Sequence, residues 1–150
     1  MVRHPGAVAV VPLGEDGRVT LVRQFRAAVG SEVLELPAGT CDVAGEDPAR
    51  TARRELAEEA GLEAARLDHL ATVLNSPGIT DQRTAVYLAR GLTPCATGRE
   101  GTEERWMAVE TVALDDVDRL VATGALQDGI TLLGLLLAGR ALPGEPPAGR

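Results

Sequence analysis

The apolar positions of the chain first fall into short runs of strand length. Gly6–Leu13 is a continuous, β-branched apolar run and reads as a buried strand. Gly14-Glu15-Asp16-Gly17 follows as a hairpin-like turn, and Val19–Phe25 predicts a second strand. After Arg26–Gly30 comes Val33–Pro37, in which Glu35 alternates with Leu34 and Leu36 and so points to the opposite face. The period then changes from two to between three and four. Ala49, Ala52, Leu56 and Ala60 form one narrow apolar stripe, which predicts a helix over Pro48–Ala60. Beyond it, Leu67–Asn75 and Arg83–Ala89 read as strands separated by a break at Ser76-Pro77-Gly78. Thr93–Thr102 reads as a loop and Trp106–Val109 as a short strand. A helix starting at Asp115 or Asp116 runs through Ala122, and Gln127–Arg140 is a final helix, Leu-rich on most sides and therefore largely buried. Strands with interposed helices predict an α/β fold, an α/β/α sandwich.

The ends of the central helix are punctuated. Asp47 can accept from backbone N–H groups that have no partner in the first turn. Pro48 suits the first helical position, and Gly61 suits the left-handed residue that ends many helices. Off the apolar stripe, Glu55, Glu58 and Glu59 stand three and four apart. Each such like-charge pair destabilises an isolated helix by roughly 0.2–0.5 kcal/mol. Two readings follow: a solvated acidic face, or a carboxylate cluster neutralised by divalent cations, since hard ions such as Mg²⁺ take oxygen ligands.

Composition narrows the setting. A chain of 150 residues with 45% apolar content can bury one core. One domain is expected over residues 1–141, with 142–150, rich in Pro and Gly, as a flexible tail. Phe25, Tyr87 and Trp106 are the only aromatic residues, so the core must be built from Val, Leu, Ala and Ile. The formal charge of −7 argues against nonspecific binding to nucleic acid or to anionic membranes. It also repels an anionic substrate, a problem that bound cations would solve. The longest apolar run, Ile130–Ala138, is far too short to span a bilayer, and no signal segment opens the chain. Cys41 and Cys95 lack metal-ligand spacing and fit a reducing, cytoplasmic setting better than a disulfide scaffold. His4 and His69 match no ligand spacing either and read as structural, and Cys41 reads as a plain small residue.

The segment Arg54-Glu55-Leu56-Ala57-Glu58-Glu59-Ala60-Gly61-Leu62, with Glu46 eight residues before Arg54, resembles the Nudix box, G-x5-E-x7-R-E-U-x-E-E-x-G-U with U aliphatic. Eight of its nine fixed positions are in register. The exception is Gly39, seven residues before Glu46 instead of six, so the loop carries one extra residue near Val43-Ala44. An insertion there lengthens a surface turn without moving the helical carboxylates. Outside the box, Val22–Arg26, Glu35–Gly39 and Pro77, sixteen residues past Gly61, resemble the ADP-ribose pyrophosphatase subfamily. The similarity runs from about Pro5 to Ala138.

The resemblance implies a Nudix α/β/α sandwich with a mixed β-sheet and an enzyme dependent on Mg²⁺, with Mn²⁺ as a substitute. Glu55 and Glu59 would be the main metal ligands, with Glu58 a further or water-mediated one and the Ala38 carbonyl another. Arg54 would orient the glutamates through an ion pair. Arg26 would contact the diphosphate, and Gly78 and Asp81 would lie in the substrate-facing loop. There Gln82 stands where relatives often carry an acidic residue, a departure at the ribose contacts. Diphosphate hydrolysis needs an activated water and neutralised phosphoryl oxygens, both of which metal ions supply, and a base within reach of that water. The family places this base on a late loop, where Glu103 and Glu104 stand, with Glu100 a further candidate.

The expected reaction is cleavage of a small-molecule nucleoside diphosphate derivative, ADP-ribose to AMP and ribose 5-phosphate. The alternatives are a nucleotide-sugar or nucleoside-triphosphate pyrophosphatase, or a sensor that binds nucleotides without cleaving them. Sensors commonly lose box carboxylates, and all are retained here. These pyrophosphatases usually carry an N-terminal antiparallel subdomain that builds a homodimer and helps hold the adenosine end. This chain begins almost at the catalytic domain, so dimer mode and nucleoside specificity do not carry over.

Overall fold

Strand β1 (Ala7–Pro12) is buried along nearly its whole length because it packs on both faces. Val8 and Val10 point to one side, against Ala52 and Leu56 of helix α1 (Pro48–Ala60). Ala9 and Val11 point to the other, against Leu135 and Ala138 of helix α3 (Gly129–Ala141). The alternation along one strand therefore sets two helices on opposite faces, as the α/β/α expectation requires. The computed structural model describes residues 1–97 and 107–141. Among these, the buried apolar residues are Val, Leu and Ala with Tyr87 and Met107, while Phe25 is exposed.

The expected mixed sheet is present, and a second sheet accompanies it among the described residues. One is four-stranded and mixed, in the order β4 (Ala38–Thr40), β1, β6 (Arg83–Pro94), β5 (Leu62–Leu74). Within it β1 and β6 are parallel, and the other neighbours are antiparallel. The second is antiparallel, with β2 (Arg18–Arg26) between β3 (Ser31–Glu35) and β7 (Ala108–Ala113). The turn at Gly14–Gly17 forms as expected, with the Gly17 N–H donating to the Gly14 carbonyl at 3.1 Å. Only one bridge, Leu13 to Val19, joins its flanks before the strands diverge into different sheets.

Strands β5 and β6 extend well beyond their expected limits. The extra length comes from pairing Leu62–Arg66 with Arg90–Pro94. Strand β5 is an edge strand, half-exposed, with a bulge between His69 and Ala71 that breaks its alternation. Helix α3 buries one face, through Thr131, Gly134, Leu135 and Ala138, while Leu136 is 53% exposed, so the expectation of burial on most sides does not hold. Gly134 lets α3 lie close on the sheets: a Cβ there would sit 2.6 Å from Leu36 Cδ1. Residues 114–122 form a 3₁₀ turn (Leu114–Asp116) and the short helix α2 (Val117–Ala122).

Helix α1 has the bounds its caps dictate. Asp47 Oδ1 accepts from the Ala49 N–H at 3.1 Å, Pro48 opens the helix, and Gly61 closes it at φ 66°. Asp47→Ala removes the N-terminal acceptor and is expected to cost about 1 kcal/mol, seen as a lower urea midpoint with unchanged slope.

Candidate active site

Helix α1 puts its carboxylates against strand β4, from which the box loop leaves. Strand β4 pairs antiparallel with β1, Ala38 opposite Ala9 and Gly39 opposite Val8, which lays its backbone along α1. The Ala38 N–H donates to Glu59 Oε2 at 2.9 Å. Gly39 faces Glu55 so closely that a Cβ there would lie 2.6 Å from Glu55 Cγ and nearer still to its carboxyl group. Glu55 and Glu59 are only 9% and 7% exposed. The solvated acidic face is thus excluded for these two.

Arg54 is the counter-charge. Its Nη1 donates to Glu55 Oε1 at 2.7 Å and to Glu58 Oε2 at 3.2 Å, and its Nη2 donates to Glu46 Oε2 at 3.3 Å. Thr51 Oγ1 donates to the same Glu46 oxygen at 2.9 Å. Burial works against the Arg54 cation, but the hydrogen bond to Glu46 and the charges of Glu55 and Glu58 outweigh it and push its pKa up. The box residues Glu46, Arg54, Glu55 and Glu58 therefore form one network. The extra loop residue does not disturb it: residues 42–45 are exposed and turn through a hydrogen bond from the Glu46 N–H to the Val43 carbonyl at 3.1 Å.

Among the described residues no three carboxylate, thiol or imidazole groups converge into a ready-made metal cage. The donor set still suits a hard cation that takes one or two carboxylates and completes its shell with water and phosphate oxygens. Glu55 and Glu59 are drawn against the bare Ala38–Gly39 backbone, and Nη1 of Arg54, a cationic group, bridges Glu55 and Glu58.

Beside this cluster lies a cleft of about 250 Å³ whose lining includes Arg26, Glu35, Ala38, Asn75, Gln82 and Asp128. Val22 pairs with Glu35 and Gln24 with Val33, so Gln24, Arg26 and Glu35 share one face of the antiparallel sheet. Glu35 accepts from Arg26 Nη2 at 2.6 Å, from Arg26 Nε at 2.9 Å and from Gln24 Nε2 at 3.0 Å. The hydrogen bond to Glu35 raises the Arg26 pKa against the pull of burial, and the charges of Glu59 and Asp128 add to the rise. Arg26 thus lies in the field of Glu59 while its side chain stays 46% exposed. Asp128 Oδ2 accepts from Thr131 N–H at 2.8 Å and Thr131 Oγ1 at 2.7 Å, and Thr131 Oγ1 accepts from the Leu36 N–H at 2.9 Å. This chain of bonds ties α3 to the end of β3. A larger cavity, about 740 Å³, lies under residues 41–46 and is lined by none of Arg26, Glu55, Glu58 or Glu59. Burial pushes the Cys41 thiol in its wall upward, so it is held protonated, in keeping with a plain small residue.

The family model for the NUDIX domain matches residues 3–126. The chain belongs to the Nudix family. It is 38% identical over 136 residues to the ADP-ribose pyrophosphatase of Mycobacterium tuberculosis, an alignment that covers 91% of this chain and 66% of that one. It is 37% identical over 131 residues to the ADP-ribose pyrophosphatase of Bacillus subtilis, covering 87% and 70%. The methanol dehydrogenase activator of Bacillus methanolicus is 32% identical over 135 residues, covering 90% and 72%. The chain thus spans about two thirds of the length of these relatives. A crystal structure of an ADP compounds hydrolase superposes with a TM-score of 0.80 at 24% identity, covering 90% of this chain and 71% of that one, and shares its fold.

The Nudix helix and the β4 backbone bring Ala38, Arg54, Glu55, Glu58 and Glu59 together, and Arg26 lines the adjoining cleft. Gly78 lies in an open turn, where a Cβ would meet no atom within 4 Å beyond its chain neighbours. Asp81 is not in the lining of the cleft: Oδ2 accepts from Arg3 Nη1 at 2.8 Å and Oδ1 from the His4 N–H at 2.9 Å. Its neighbour Gln82 lines the cleft instead. Glu100, Glu103 and Glu104 lie outside the described residues. His4 Nδ1 accepts from the Gly6 N–H, and His69 packs edge-on against Tyr87, both within the structural roles expected. Sequence reasoning assigned no role in the site to Gln24, Glu35, Asn75 or Asp128. Gln24 and Glu35 stand in the segments that carry the subfamily resemblance, and Asp128 is an acidic residue three positions before Thr131 at a helix start. No helix of the described residues is long and apolar enough to cross a membrane.

Proposed function

We propose that this Nudix chain hydrolyses the diphosphate bridge of a nucleoside diphosphate linked to a second moiety, with ADP-ribose, cleaved to AMP and ribose 5-phosphate, as its first substrate. The observation that carries the reading is the burial of Glu55 and Glu59 against the Ala38–Gly39 backbone, next to a cleft walled by Arg26. The names of the mycobacterial and Bacillus subtilis relatives support the substrate. Glu55, Glu59, Glu58 and the Ala38 carbonyl would hold Mg²⁺ or Mn²⁺. When bound, such ions lower the pKa of a water and neutralise charge on the phosphoryl oxygens.

The chain's own groups have separable tasks. Arg54 holds Glu55 and Glu58 in place and keeps their mutual repulsion in check. Arg26, fixed by two oxygens of Glu35, presents a planar cation to the diphosphate. Asp128, Gln82 and Asn75 supply the cleft with acceptors and donors suited to sugar hydroxyls. Glu103 or Glu104 serves as the base that takes the proton of the attacking water.

The decisive experiment incubates the purified chain with ADP-ribose, nucleotide sugars, dinucleoside diphosphates and nucleoside triphosphates, with Mg²⁺, Mn²⁺ or chelator. AMP and ribose 5-phosphate are expected from ADP-ribose with either ion and from none of the chelated samples. A preference for a nucleotide sugar or a triphosphate would move the chain to the neighbouring pyrophosphatase class. Nucleotide binding without turnover would make it a sensor.

A further inference from the structure

The segment Val2–His4 runs beside the turn at residues 76–82 and is bonded to it along its length. The Val2 N–H donates to the Ile79 carbonyl at 2.9 Å, and the Asp81 N–H donates to the Val2 carbonyl at 3.3 Å. Val2 and Thr80 form a parallel bridge. Asp81 then closes the contact with its carboxylate, taking Arg3 Nη1 on one oxygen and the His4 N–H on the other. His4 is itself fixed, because its Nδ1 accepts from the Gly6 N–H at 3.1 Å, one residue before β1.

The turn this strap holds reaches the cleft through its two feet. Within it the Ser76 carbonyl accepts from both the Ile79 and Thr80 N–H groups at 2.9 Å. Asn75 N–H donates to the Gln82 carbonyl at 3.3 Å, Gln82 N–H donates to Thr80 Oγ1 at 3.1 Å, and Asn75 Oδ1 accepts from Thr84 Oγ1 at 2.7 Å. Asn75 and Gln82, at the two feet of the turn, line the same cleft as Arg26 and Glu35. The tip itself is open: Ile79 is exposed and a Cβ on Gly78 would meet no atom within 4 Å. The chain of contacts therefore runs from Arg3 and His4 through Asp81 to the two amide side chains.

We infer that Asp81 is a positioning residue, which, through the Val2–His4 strap, fixes the turn that carries Asn75 and Gln82 and so sets how tightly the cleft holds the substrate's sugar end. The inference rests on the hydrolase reading above for its kinetic consequence, but its structural half stands without it. A carboxylate that touched the sugar directly would depend on its own oxygens alone. A carboxylate that acts through the strap shares its effect with Arg3.

The test compares Arg3→Ala, Asp81→Ala and the double variant. Arg3 is a safe partner because its side chain is 83% exposed and its loss leaves the core intact. Each single variant is expected to raise KM for ADP-ribose about three- to tenfold with kcat unchanged, the scale of a partly exposed charge-assisted pair. The double variant should be no worse than Asp81→Ala alone, since that substitution already removes the Arg3 contact along with the His4 one. Hydrogen exchange of peptides covering residues 75–82 should quicken in all three. A KM effect of Asp81→Ala with no quickening of exchange over residues 75–82 would make Asp81 a direct contact and overturn the inference. So would unchanged KM in both, or a fall in kcat as large as the rise in KM. If the chain cleaves no diphosphate, the hydrolase reading fails, and exchange still decides the strap: protection of the turn that survives in both single variants overturns it.

Discussion

Glu59→Gln is expected to lower kcat for diphosphate hydrolysis on the order of 10³-fold, about 4 kcal/mol, the scale on which a preorganised charge-stabilising group acts. The substitution isolates charge from shape. A glutamine oxygen can still accept from the Ala38 N–H, so the bond between α1 and β4 survives and the melting temperature should move little. What disappears is the negative charge of a side chain that is 7% exposed, where solvent screens it least. Mg²⁺ affinity measured by calorimetry should fall with kcat. Glu58→Gln is expected to cost much less, because Glu58 is more exposed and its charge already meets Arg54. Hydrolysis that persists unchanged in Glu59→Gln would remove the box carboxylates from the chemistry and with them the proposed function.

The sequence made that residue legible because α1 is described by local rules. Asp47, Pro48 and Gly61 each act within one turn of the helix end, and their chemistry does not depend on the rest of the chain. The apolar stripe through Ala52 and Leu56 likewise follows from spacing, and both side chains are fully buried. What spacing could not give is the partner of each glutamate. The amide of Ala38 and the bare Cα of Gly39 reach α1 only because β4 pairs with β1, a long-range contact.

The cleft was less legible for the same reason carried further. Arg26 and Glu35 come from β2 and β3, Asn75 and Gln82 flank the turn between β5 and β6, and Asp128 precedes α3. No periodicity links five residues on such separate elements. Glu35 shows how a correct local reading can stop short. It does point away from Leu34 and Leu36, as alternation requires, yet it is buried like them because its face looks onto the cleft and not onto bulk water. The long arms of β5 and β6 were hidden by an edge strand with a bulge, and the division into two sheets by a turn whose strands touch at a single bridge.

Gly39→Ala is expected to lower kcat about 100-fold while leaving the fold in place, because a shift of about 1 Å in a catalytic group can carry that cost. The added methyl would overlap the carboxyl end of Glu55. Gly39 is a β4 residue outside the set of positive-φ glycines, so alanine fits its backbone, and the strain falls on a side chain that can rotate away. The stability cost should stay near 1 kcal/mol, the low end for overpacking. Rotation would break the 2.7 Å bond between Glu55 and Arg54 Nη1 and carry the carboxylate off the line it shares with Glu59 along α1. Two controls separate this route from general damage. Gly39→Ala combined with Glu55→Gln should be no slower than Glu55→Gln alone, because the methyl acts only through that carboxylate. Gly45→Ala, at an exposed loop position with open space around it, should leave kcat within about twofold, although its left-handed backbone costs roughly 1 kcal/mol of stability. If Gly39→Ala retains full activity, Glu55 has room to sit elsewhere and still serve, and the close approach of β4 to α1 is packing, not preorganisation.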